Sequence, residues 1–220
     1  AELISTGLRI TLLIGLPAAF GLFVLAKPIV SLLYFNLTAG ENAVTGEILQ
    51  YLALGVVFLT LVQALTAIIQ GLGKPFIPVR NLLFGAIAKI ILTYFLTAIP
   101  AINVKGAAIS TVVAFAIAGS LNFLYVIRVV KADLDLKNIF LKPLGSALGM
   151  AIIARISYNL LNNLVGGSLA TLLAVSIGGL SYFILLVMTG TLTGDDLSFI
   201  TKSQKIKRLF KKFKKEDLDE

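Results

Sequence analysis

Apolar residues run along this chain in six long blocks, at 8–34, 48–70, 78–99, 106–127, 141–164 and 168–190, and most charges fall between them. Each block is long enough to cross a hydrocarbon layer of about 30 Å as a helix. Helices are the expected form, because an open strand edge leaves backbone groups unsatisfied in lipid and the short alternating segments of a barrel are absent. The pattern predicts an all-α, polytopic transmembrane bundle of six spanning helices. After it, Phe199, Ile206, Leu209, Phe210 and Phe213 recur at helical spacing opposite a row of cations, which predicts a C-terminal amphipathic helix.

Breaks in the pattern locate the turns. Pro17 sits inside the first block between Gly15 and Gly21, predicting a kink or an unwound turn there, and Lys27 with Pro28 predicts a second weakening. Gly71 and Gly73 can each take the left-handed backbone shape that ends a helix, and Lys74 sets positive charge beside the last carbonyls. Pro75 cannot continue that helix, whereas Pro78 suits the first turn of the next. Residues 99–105 read as a tight turn, after which Gly106, Ala107 and Ala108 allow close approach to a neighbour. Gly145 and Gly149 form a G-x-x-x-G face, Ala174 and Gly178 share its spacing, and Gly166 and Gly167 lie in the turn between. The last two helices are therefore expected to pair as an antiparallel hairpin through these small faces.

Composition places the pattern in lipid. With 58% hydrophobic and 14% charged residues and a mean hydropathy of +0.97, the chain is an integral membrane protein. It contains neither cysteine nor histidine, which removes disulfides, thiolate chemistry and the commonest general base and metal ligand. It begins at Ala1 without a signal-peptide pattern, so we expect the C-terminal part of a longer protein. Most of the 19 basic residues, among them Arg9, Lys74, Arg80, Arg128 and the cluster at 202–215, fall on one side of the bundle. That side is expected to be cytoplasmic, with both ends of the chain there. In the tail, Lys205, Lys207, Arg208, Lys211 and Lys212 are expected to rest on anionic inner-leaflet lipids, each contributing about 1 kcal/mol near the surface. A solvated terminus that only fixes topology is the alternative.

Charge within the spans narrows the function. A cation at mid-membrane costs about 2.5 to 3.5 kcal/mol, so such residues usually face a bundle interior and serve a ligand or a pathway. Lys89 lies roughly 16 Å from the inner end of its helix, near the middle of the layer, and is expected to face inward. Arg155, roughly 20 Å along its helix, either does the same or snorkels toward the outer surface. Thr60, Gln63, Ala67 and Gln70 form a polar stripe, read either as glue between helices or as the wall of a water-filled cavity. No carboxylate lies at mid-span. A hollow lined by cations, amides and hydroxyls prefers an anion such as a phosphate or pyrophosphate. Enzymatic chemistry finds no support: there is no phosphate loop, no zinc motif, and no nucleophile with a base beside it. No cofactor or metal is implied, and the adjoining membrane bundle makes lipid, not nucleic acid, the partner of the basic tail.

Several ordered segments resemble a known family. They are Gly15-Leu-Pro-Ala-Ala-Phe-Gly21, Leu25-Ala-Lys-Pro-Ile29 with Leu32-Leu33-Tyr34, Gln70-Gly-Leu-Gly-Lys-Pro75, Lys89-Ile-Ile-Leu-Thr-Tyr-Phe-Leu96 and Val104-Lys-Gly-Ala-Ala-Ile-Ser-Thr111. Together they are similar to the polysaccharide transporters of the multidrug, oligosaccharidyl-lipid and polysaccharide exporter superfamily, especially the stage V sporulation protein B group and MurJ-type lipid II flippases. The resemblance implies a fourteen-helix transporter of two six-helix lobes and two extra helices. Residues 1–130 would supply four helices of the C-terminal lobe, 131–194 the final pair, and 195–220 the cytoplasmic tail; the remaining N-terminal helices would belong to the same transporter. It also implies alternating access that moves a lipid-linked saccharide across the bacterial cytoplasmic membrane, with the lipid tail near the final pair. Lys89, Gln63, Gln70 and Arg155 are the candidate substrate contacts; Pro17, Gly71 and Gly73 are the candidate hinges. A cation-coupled antiporter of the same superfamily and a non-transporting membrane scaffold remain the alternatives.

Overall fold

A computed structural model describes residues 2–130 and 140–189. The amphipathic tail, with Lys205, Lys207, Arg208, Lys211 and Lys212, lies outside the described residues. Those residues form seven helices: α1 (Glu2–Val24), α2 (Ala26–Leu33), α3 (Ala39–Gly71), α4 (Phe76–Thr97), α5 (Lys105–Val130), α6 (Lys142–Val165) and α7 (Gly167–Met188). Six of them, all except the short α2, are long and apolar enough to cross a membrane.

The boundaries correct three expectations. The first apolar block breaks at Leu25, beside the weakening expected at Lys27 and Pro28, whereas α1 runs through Pro17 without an unwound turn. The second span begins at Ala39, because Thr38 and Glu41 form a reciprocal capping box that satisfies the first amides of α3. At the other end of α3 only Gly73 is left-handed, with φ of 75°, while Gly71 remains helical. The Lys74 amide donates to the Ile69 carbonyl at 3.2 Å and the Gly73 amide to Gln70 at 2.9 Å, the double bond of a Schellman turn.

Packing places α3 between α1 and α5, α4 on the far side of α5, and the α6–α7 hairpin against α1, with α2 leaning on α3 and α7. Lipid removes most of the hydrophobic driving force between spans, so fit and hydrogen bonds decide these contacts. The α4–α5 pair is closest. A Cβ on Gly85 would lie 2.5 Å from the Ala114 carbonyl oxygen, and one on Gly106 would lie 2.8 Å from the Leu96 carbonyl carbon. Asn81 of α4 donates to Asn122 of α5 at 2.8 Å, and Asn122 donates to Thr66 of α3 at 3.4 Å. Both asparagines are buried. The polar link between these helices therefore runs through Thr66 rather than through Gln63 or Gln70.

Leu8, Leu12, Leu16, Leu65, Ile69, Val126, Met150 and Leu186 make the main core, which ties α1 to α3, α5, α6 and α7. The expected hairpin of the last two helices is present, and most of its predicted small face packs: a Cβ built at Gly149 would lie 2.9 Å from Leu185, one at Gly178 lies 3.2 Å from the Ala154 Cβ, and Ala174 is buried. Gly145 departs from the expectation and faces open space.

Candidate functional site

Two prolines organise the region where α1 meets the final hairpin. Proline has no amide hydrogen, so the carbonyl four residues earlier loses its helical partner. Pro17 frees the Leu13 carbonyl, and the buried Tyr182 hydroxyl of α7 donates to it at 2.7 Å. Pro28 of α2 leaves the Val24 carbonyl open, and the Arg155 guanidinium of α6 donates to it at 3.3 Å. The neighbouring Phe23 carbonyl, also at the end of α1, accepts from the Gln50 amide of α3 at 3.2 Å. Spanning helices tolerate such breaks where neighbouring side chains take up the freed backbone groups.

The break at Leu25 opens a cavity of about 300 Å³ lined by Phe23, Val24, Lys27, Gln50 and Arg155. Its two charges are both positive. An apolar groove of about 350 Å³ between α1 and α6, lined by Phe20, Leu148, Ala151, Ile152 and Ile156, shares Phe23, Val24 and Arg155 with it. On the opposite flank of α1, a second apolar groove of about 330 Å³ runs between Pro17, Gly21, Leu25 and Ile29 and the hairpin residues Met150, Ala154, Val175 and Gly178.

The predicted site residues do not form one cluster. Lys89 is exposed on α4 and has no hydrogen bond or ion pair among the described residues. Pro78, Asn81 and Gly85 are the buried residues of α4; Lys89, one turn beyond Gly85, is left uncovered by the described helices. Gln63 and Gln70 are likewise exposed along α3. Arg155 sits apart from Lys89, because α6 packs on α1 and α7 whereas α4 packs on α5.

A profile of the lipid II flippase MurJ family matches residues 1–178. The chain belongs to that family. An uncharacterized membrane protein of Bacillus subtilis (strain 168), YabM, is 28% identical over 218 residues, a stretch that covers 96% of this chain and 39% of YabM. The chain thus spans about two fifths of the length of this curated relative. The MurJ family is one of membrane transporters rather than of catalysts, and the six apolar spans make this member a multi-pass protein of a bacterial membrane.

Tyr182, Gln50 and the Asn81 and Asn122 pair went unnoticed in the sequence. For Tyr182 the signal was available in part: Pro17 marks a carbonyl in need of a donor, although not which helix supplies it.

Proposed function

We propose that the chain forms the C-terminal part of a flippase that moves an undecaprenyl-pyrophosphate-linked precursor of peptidoglycan or polysaccharide across the cytoplasmic membrane by alternating access. Membership of the MurJ family supports the lipid-linked substrate. The groove between α1, α2 and the hairpin is apolar and offers an isoprenoid tail a lining without charge. Lys89 takes the pyrophosphate, and Gln63 and Gln70 contact sugar or water along the route, with the N-terminal helices of the whole transporter closing the other side. Both ends of this chain face the cytoplasm, which the clustering of basic residues supports. Pro17 and the Gly71 to Gly73 turn absorb the change between inward and outward states.

The observation that carries this reading is Lys89: a cation in the middle of a 22-residue span, uncovered by the described helices, in a chain with no mid-span carboxylate to neutralise it. Lys89→Gln removes the charge and keeps the length and polarity. In cells whose only flippase is the full-length protein, the variant should reach the membrane at normal abundance, translocate less precursor and leave it accumulated on the inner leaflet. Unchanged translocation would take Lys89 out of the pathway.

A further inference from the structure

We infer that the cavity at the α1–α2 break holds the phosphate of an anionic membrane phospholipid, whose acyl chain lies in the apolar groove between α1 and α6. The inference is independent of the flippase reading. Lys27 and Arg155 converge on one cavity of about 300 Å³ from helices far apart in sequence. No acid lines it. The carboxylate one helical turn from Gln50, Glu47, is ion-paired with Lys105 and feels Lys27 only as a weaker, more distant charge. The stem of Lys27 is set by Gly46, where an added Cβ would come within 2.6 Å of the Lys27 Cγ.

Arg155 gives one N–H to the Val24 carbonyl and keeps the rest of its donor fork for an anion. Gln50 gives one amide hydrogen to Phe23 and keeps the other. Two cations and an amide at the mouth of a groove faced by Phe20, Leu148, Ile152 and Ile156 match a ligand with one anionic end and one long apolar end. Arg155 lies roughly 20 Å along α6 from Lys142, where a long basic side chain reaches the far interface. A phosphate there lies on the membrane face opposite Lys74 and Arg80.

The test uses the full-length protein with Phe23→Trp as its sole tryptophan, since Phe23 borders both cavity and groove. It is reconstituted in phosphatidylcholine vesicles free of any saccharide-linked lipid, and quenching is measured with dibrominated phosphatidylglycerol and with dibrominated phosphatidylcholine. The phosphatidylglycerol should quench at the lower mole fraction. Each of Lys27→Gln and Arg155→Gln should cut that preference about fivefold, the effect of one cation near a membrane surface. Glutamine retains a donor for the Val24 carbonyl, so the replacement tests charge rather than the helix break. Equal quenching by the two lipids in the parent, or a preference that survives both replacements, overturns the inference. So does displacement by inorganic phosphate at concentrations as low as those of dioctanoyl-phosphatidylglycerol, which would assign the cavity to a free anion. Should the tryptophan prevent folding, native mass spectrometry of the otherwise unaltered protein carries the same comparison: retained phosphatidylglycerol should exceed phosphatidylcholine and fall in both glutamine variants, and equal retention overturns it.

Discussion

Tyr182→Phe removes one oxygen atom from a residue that is 8% exposed and leaves its ring in place. What it takes away is the 2.7 Å hydrogen bond to the Leu13 carbonyl. Leu13 cannot turn to its own helix for a replacement, because Pro17 occupies the position whose amide would serve it. A buried acceptor left without a partner costs about 1 to 3 kcal/mol, whereas side-chain hydrogen bonds between membrane helices average about 0.6 and reach about 1.7 kcal/mol. The missing backbone alternative places this bond toward the top of that range, at about 1 to 1.7 kcal/mol. Pro17→Ala returns an amide hydrogen to Leu13. In that background Tyr182→Phe should cost below about 0.5 kcal/mol, because the carbonyl keeps one good donor. Denaturation of the full-length protein in mixed micelles, performed on the parent, both single variants and the double variant, yields the coupling directly. A cost for Tyr182→Phe that is the same with proline or alanine at position 17 would refute the argument that the proline creates the acceptor.

Three further outcomes follow from packing. Gly85→Ala drives a methyl group toward the Ala114 carbonyl oxygen, 2.5 Å from the new Cβ, and should destabilise the protein by about 1 to 3 kcal/mol. Gly145→Ala, which meets nothing within 4 Å, should be neutral or stabilise by up to about 1 kcal/mol through helix propensity; thermal denaturation of the two variants side by side checks the contrast. Asn81→Leu or Asn122→Leu alone strands a buried amide and should cost about 1 to 3 kcal/mol, while the double replacement should cost less than the sum, as read from a double-mutant cycle in the same denaturation assay.

Spans were legible in the sequence because an uninterrupted apolar run of membrane length has few other uses. Their ends were less so. The capping box at Thr38 and Glu41 is a readable T-x-x-E signal that extends α3 well before the apolar run starts. The break at Leu25 was signalled nearby by Lys27 and Pro28, while the stronger-looking signal at Pro17 leaves α1 unbroken because its disruption is absorbed by a hydroxyl from α7, 169 positions away. Candidate site residues were legible as types, not as neighbours. Lys89 and Arg155 stand out as cations in lipid, yet nothing in the chain order says that α4 and α6 lie on different sides of the fold, or that Lys27 and Gln50 join Arg155. Which glycines meet a backbone and which meet open space depends on helix rotation, so Gly85 and Gly145 look alike until the helices are docked.

Because Tyr182 grips α1 at the turn that Pro17 loosens, that turn cannot flex alone. Bending there either drags α7 along or leaves the grip behind. A pair of spin labels, one on each of these two helices below the grip, would therefore keep a constant separation through the proposed transport cycle in the parent protein and spread to a broad distribution once the phenol oxygen is gone.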